Sequence, residues 1–179
     1  DSINLLYLKN ITSPIKILPT IAAKDITKYY KGSTQYSATF FDSQGNPLKN
    51  SQATISVNGK SYSKKTNSKG LVSLSVDLKP GTYKIVANDP ITGYKLITTF
   101  KILSTISSSD FKKVSGDSKR FKVKFFKSNG MDLTNQYVKV KINGKTDKIK
   151  TNSKGKVSLS LNNLKPGTYK AVCYNKDGL

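Results

Sequence analysis

The chain has 179 residues, enough for two domains of ordinary size, and 31 Lys+Arg against 10 acidic residues give it a formal net charge of +21. All ten acids are Asp, and there is no Glu, His or Trp, which removes most general acid–base and metal-ligand chemistry. The single cysteine, Cys173, cannot form an internal disulfide, and no apolar run approaches the ~20 residues that span a bilayer.

The front segment, residues 1–18, ends in Ile15-Lys16-Ile17-Leu18, which lies 85 residues before Phe100-Lys101-Ile102-Leu103. The same interval recurs throughout. Thr66-Asn67-Ser68-Lys69-Gly70 returns as Thr151-Asn152-Ser153-Lys154-Gly155, and Asn58-Gly59-Lys60 as Asn143-Gly144-Lys145. Lys79-Pro80-Gly81-Thr82-Tyr83-Lys84 returns one residue later, as Lys165-Pro166-Gly167-Thr168-Tyr169-Lys170. A period this long is a whole domain, since solenoid repeats run roughly 20–50 residues. The reading is an orphan strand in residues 1–18, a first domain over 19–103, and a second over 104–179 that lacks its own last strand.

Each copy reads as short alternating strands divided by turns, an all-β sandwich. Tyr36, Ala38 and Phe40 alternate inward in copy one, as do Phe121, Val123 and Phe125 in copy two. The next strands bury Ala53, Ile55 and Val57, or Val138, Val140 and Ile142, and lead into Asn-Gly pairs suited to type I′ hairpins. Gly70 and Gly155 suit a left-handed position. Later inward sets are Val72, Leu74, Val76 and Val157, Leu159, Leu161, then Tyr83, Ile85, Ala87 and Tyr169, Ala171, Cys173. Each domain is expected to hold seven strands, with Ala171 in the second core and Cys173 as a small buried apolar residue. Tyr83 and Tyr169, each just after a Pro-Gly turn, resemble the tyrosine corner of Ig-like and fibronectin-type sandwiches, whose hydroxyl bonds back to the upstream backbone.

Charge is uneven: net +1 in residues 1–18, +8 in copy one and +12 in copy two. Arg120, Lys122 and Lys124 alternate with buried Phe121, Val123 and Phe125, while Lys139 and Lys141 stand where copy one has Thr54 and Ser56. The strand bearing Lys122 and Lys124 is expected to share a sheet with the one bearing Lys148 and Lys150, making one cationic face on copy two. Such a face either holds a polyanion, whether anionic wall polymer, acidic polysaccharide or phospholipid headgroups, or is a solvated surface that resists aggregation. Specific nucleic-acid binding is disfavoured, because lysine outnumbers arginine 30 to 1 and no aromatic stacking patch is evident on the outward face.

The ordered set Tyr29-Tyr30-Lys31-Gly32, Tyr36-x-Ala38-x-Phe40, Gly45-x-Pro47-Leu48, Val57-Asn58-Gly59-Lys60, Thr66-Asn67-x-x-Gly70 and Leu78-x-Pro80-Gly81-Thr82-Tyr83 resembles the tandem Ig-like repeats of adhesin-like surface proteins of methanogenic archaea, relatives of bacterial Ig-like stalk modules. Copy two keeps the later motifs but has Val114-Ser115-Gly116-Asp117 at the first and lacks the proline of the third. The resemblance implies an extracellular stalk or adhesive module at the cell surface, not an enzyme, with no cofactor, no metal and no membrane insertion in this segment. Some surface Ig-like domains carry a self-formed Lys–Asn bond, for which Lys28 with Asn50, beside Asp25, and Lys113 with Asn135, beside Asp110, are the nominal sets. The alternative is a self-assembling filament, in which Ile11, Ile15 and Ile17 of one molecule fill the last-strand slot of the next. Asn10-Ile11-Thr12 is the one glycosylation sequon.

Overall fold

The computed structural model describes residues 14–175, so Ile11 and the Asn10 sequon lie outside the described residues. Within them the chain is all β. Copy one contains β1 (Ile21–Ala23), β2 (Ile26–Tyr29), β3 (Tyr36–Phe40), β4 (Gln52–Val57), β5 (Lys60–Lys65), β6 (Leu71–Leu74), β7 (Gly81–Asn88) and β8 (Lys95–Leu103). Copy two contains β9 (Ile106–Ser107), β10 (Phe121–Phe125), β11 (Tyr137–Ile142), β12 (Lys145–Lys150), β13 (Lys156–Leu159) and β14 (Ala171–Tyr174). Among the described residues the strand counts are eight and six, where seven and seven were expected.

In copy one, a sheet of order β1-β3-β6 packs against a sheet of order β2-β8-β7-β4-β5. The period-two alternation decides the facing: Tyr36, Ala38 and Phe40 from one sheet meet Ala53, Ile55, Val57, Ile85 and Ala87 from the other. Phe100 and Ile102 of β8 complete the core, and burying each is worth about 1.5–3 kcal/mol. Strand β2 joins its sheet only through parallel pairing with β8.

Copy two repeats this plan with sheets β9-β10-β13 and β12-β11-β14. Among the described residues no counterpart of β8 lies beside β14, and copy two differs from copy one in two further respects. Residues 111–114, the counterpart of β2, form no strand. The eight-residue β7 shrinks to the four residues of β14, and Ala171 is exposed instead of buried, correcting its expected place in the core. Phe121, Val123, Phe125, Val138, Val140, Val157 and Leu159 still make a continuous buried cluster, with Cys173 packed at its margin.

Local chemistry fixes the turns. Asn58 and Gly59 have φ of 50° and 75°, and Asn143 and Gly144 have 50° and 79°, which is the type I′ geometry that closes β4–β5 and β11–β12. In the recurrent Thr-Asn loops, Asn67 Oδ1 accepts from the Lys69 and Leu71 amides, and Asn152 Oδ1 from those of Lys154 and Lys156. Thr66 and Thr151 are buried, each donating its hydroxyl to a carbonyl, that of Leu48 or Leu133.

Candidate binding face

The basic residues do not fall on one sheet. Strand β10, with Lys122 and Lys124, pairs with β13 and β9, whereas β12, with Lys148 and Lys150, pairs with β11. The expected single face is corrected to two, on opposite sides of the sandwich. Alternation sets which way a side chain points, but long-range pairing sets which sheet it belongs to.

The two sets also differ in how far their charge is already used. On the β10 side, Arg120 donates from Nε to Ser158 Oγ at 3.0 Å and from Nη2 to the Ser158 carbonyl at 2.8 Å. Lys124 pairs with Asp132 at 2.8 Å and lies over the Phe126 ring at 5.0 Å. Among the described residues, Lys122 and Lys156, the ladder partner of Lys124 on β13, stand exposed there without such a partner. On the β11 side, exposed Lys139 and Lys141 alternate with buried Val138 and Val140, and on β12 exposed Lys148 and Lys150 alternate with half-buried Asp147 and Ile149. Lys139 lies directly opposite Lys148. Among the described residues no acidic side chain pairs with any of these four. Like charges placed opposite one another on a ladder repel, so this arrangement is held at a cost.

The same face carries aromatics that the sequence reading did not place there. Tyr137 opens β11 and Tyr174 closes β14, on the outward side with the lysines. At the corresponding positions copy one has Gln52, Thr54, Ser56, Ser63 and Asn88, and it shares only the lysine of Lys150, as Lys65; Ser63 donates to Gln52 at 3.2 Å and Ser56 and Ser61 are in hydroxyl contact at 2.8 Å.

The tyrosine corners are alike in the two copies: Tyr83 donates to the Lys79 carbonyl at 2.8 Å and Tyr169 to the Lys165 carbonyl at 2.9 Å. Ile15 and Ile17 are each 91% exposed and lie in no strand. Beside β14, a cavity of about 620 Å³ is lined by Phe111, Phe121, Ile142, Leu161, Leu164 and Ala171. Gly167 and Tyr169 also border it, as their counterparts Gly81 and Tyr83 border β8 in copy one.

The Lys–Asn sets are not assembled. Lys28 donates to the Gly32 carbonyl at 2.9 Å, and burial lowers its pKa against the opposing pull of Asp77. Lys113 donates to Asn162 Oδ1 at 2.6 Å and to the Asp117 carbonyl. Asn50 and Asn135 instead occupy left-handed positions, at φ of 54° and 53°. Among the described residues no group of three His, Cys, Asp or Glu converges.

Residues 35–120 match the SpaA prealbumin-like fold domain. The matched stretch runs from the start of β3 to the start of its counterpart β10, one repeat length, so it takes in β9 and the joint between copies. No curated protein is matched. Among solved structures, the chain is similar to a Ca2+-stabilized adhesin with which an Antarctic bacterium binds ice, at 16% identity, TM-score 0.33 and 79% coverage of this chain. It spans 40% of that adhesin chain. The fibronectin(III)-like modules of Clostridium thermocellum CbhA are similar at 13% identity and TM-score 0.32, over 88% of this chain and 87% of theirs. Bacteroides ovatus SGBP-B, of a mixed-linkage glucan utilization locus, is similar at 15% identity and TM-score 0.31, over 96% of this chain and 43% of its own.

Proposed function

We propose that the chain is a binding module, not an enzyme, of an extracellular adhesin-like surface protein of the kind found in methanogenic archaea. Copy one acts as a spacer, and copy two holds an anionic wall polymer or acidic glycan through the outer face of β12-β11-β14. One observation carries this reading. Where copy one has Thr54, Ser56 and Ser63, copy two has Lys139, Lys141 and Lys148, and these lysines have no acidic partner among the described residues. A surface that served solubility alone would intersperse both signs. The test is retention of the chain on an immobilised polyanion. Lys139→Gln, Lys141→Gln, Lys148→Gln and Lys150→Gln together should release it at much lower salt, while Lys122→Gln alone should not. Equal effects of the two variants would return the lysines to the role of a solvated surface.

The cavity beside β14 favours a second reading, a filament subunit whose residues 9–18 enter the next molecule as a strand. Its test is solution mass against concentration with and without residues 1–18. Identical masses would dismiss it.

A further inference from the structure

The lysine face has an internal order. Lys148, Lys139 and Tyr174 form one row across β12, β11 and β14, since Lys139 is the ladder partner of both the others. Neighbouring members of that row stand about 4.8 Å apart along the hydrogen-bonding direction. Two residues away along β11, about 7 Å in either direction, lie the row of Lys150 with Tyr137 and the row of Lys141 with Val172.

The two tyrosines are not equivalent. Tyr137 is 55% exposed, but Lys148 Nζ lies 4.9 Å from its ring centroid, so a cation already occupies it. Tyr174 is 40% exposed, and among the described residues it has no ring or cation contact. The aromatics accompany the lysines: copy one has Gln52 and Asn88 where copy two has Tyr137 and Tyr174. Lysines alone serve any polyanion equally. An aromatic ring left open beside them suits a ligand that has both negative charge and an apolar face. A pyranose ring bearing a carboxylate has both, whereas a polyphosphate chain has only the charge.

We infer that this face recognises an acidic polysaccharide, with its carboxylates on Lys139, Lys141, Lys148 and Lys150 and a sugar ring packed on Tyr174. The inference rests on the polyanion-binding reading and narrows it to one ligand class.

The experiment uses the whole chain and three probes: polygalacturonate, long-chain polyphosphate and a neutral glucan. The variants are Tyr174→Asn, which installs the residue of copy one, and Lys139→Gln with Lys148→Gln. Unchanged thermal unfolding of each variant shows that the fold is kept. Polygalacturonate should bind, and Tyr174→Asn should weaken it at least about fivefold while shifting polyphosphate less than about twofold. The double lysine variant should weaken both. Binding of polyphosphate or neutral glucan as tight as that of polygalacturonate overturns the inference. So does an equal response of both polyanions to Tyr174→Asn. If the double lysine variant leaves both polyanions unaffected, the underlying lysine-face reading fails instead, and with a different signature.

Discussion

The Tyr29 ring of copy one lies 5.3 Å, centroid to centroid, from the Phe126 ring of copy two, inclined at 41°. Gly130 makes room for it. Its φ is +86°, and a Cβ there would come within 2.6 Å of Tyr29 Cε2. Gly32 is equally tight on the other side, where a Cβ would stand 2.8 Å from the Ser128 carbonyl oxygen. A short link through Thr105, whose carbonyl accepts from the Phe126 amide, leads directly into this contact. The two copies are thereby joined by a packed ring rather than by a bare linker.

Removing that ring should uncouple the copies without unfolding either. In Tyr29→Ser the rotational correlation times of the two copies, read by NMR relaxation, should separate and shorten. Gly130→Ala should act in the same direction, with an added cost of roughly 1–2 kcal/mol for a left-handed alanine. Unchanged correlation times in both variants would mean that the rings touch without holding the joint.

The tyrosine corners should matter locally. Tyr83→Phe removes one hydrogen bond to a backbone carbonyl and should cost copy one about 1 kcal/mol in urea unfolding, with copy two unaffected. Tyr169→Phe should do the reverse. A variant that lowers the stability of both copies equally would show that the corner acts through the joint and not through its own turn.

Acid should destabilise copy one through Asp89. Burial opposes ionisation of Asp89, but donors from Thr20, the Ile91 amide and Thr92 prevail and hold its carboxyl below the ordinary value of 3.8. A depressed native pKa contributes stability that is present above 3.8 and is lost as pH falls through the lower folded value. Copy two has Asn175 there, which does not titrate and donates to the Phe126 carbonyl at 2.8 Å. Asp89→Asn should therefore flatten the acid limb of copy one's stability curve. An unaltered limb would place the acid sensitivity elsewhere.

Alternation along single strands made the cores legible: Phe40 and Phe125, Ile55 and Val140 all point inward, as period two requires. The Asn-Gly hairpins were equally plain, because only residues tolerant of positive φ fit them. What escaped the sequence was every relation between distant segments. Lys122 and Lys148 carry the same local pattern, yet β10 and β12 belong to different sheets. Tyr174 gains meaning only through its ladder partner Lys139, 35 residues earlier in the chain. Nothing local to Tyr29 points to Phe126. The outward direction of Tyr137 could have been read from its neighbour Val138, had strand ends been weighed with strand centres.

The most direct test of the lysine face is a map of backbone amide shifts on titration with polygalacturonate at physiological ionic strength. Binding there should move the amides of β11, β12 and β14, centred on Lys139, Lys148 and Tyr174, and leave β4 and β5 of copy one in place. Shifts centred on β10 and β13, or spread evenly over both copies, would contradict the account.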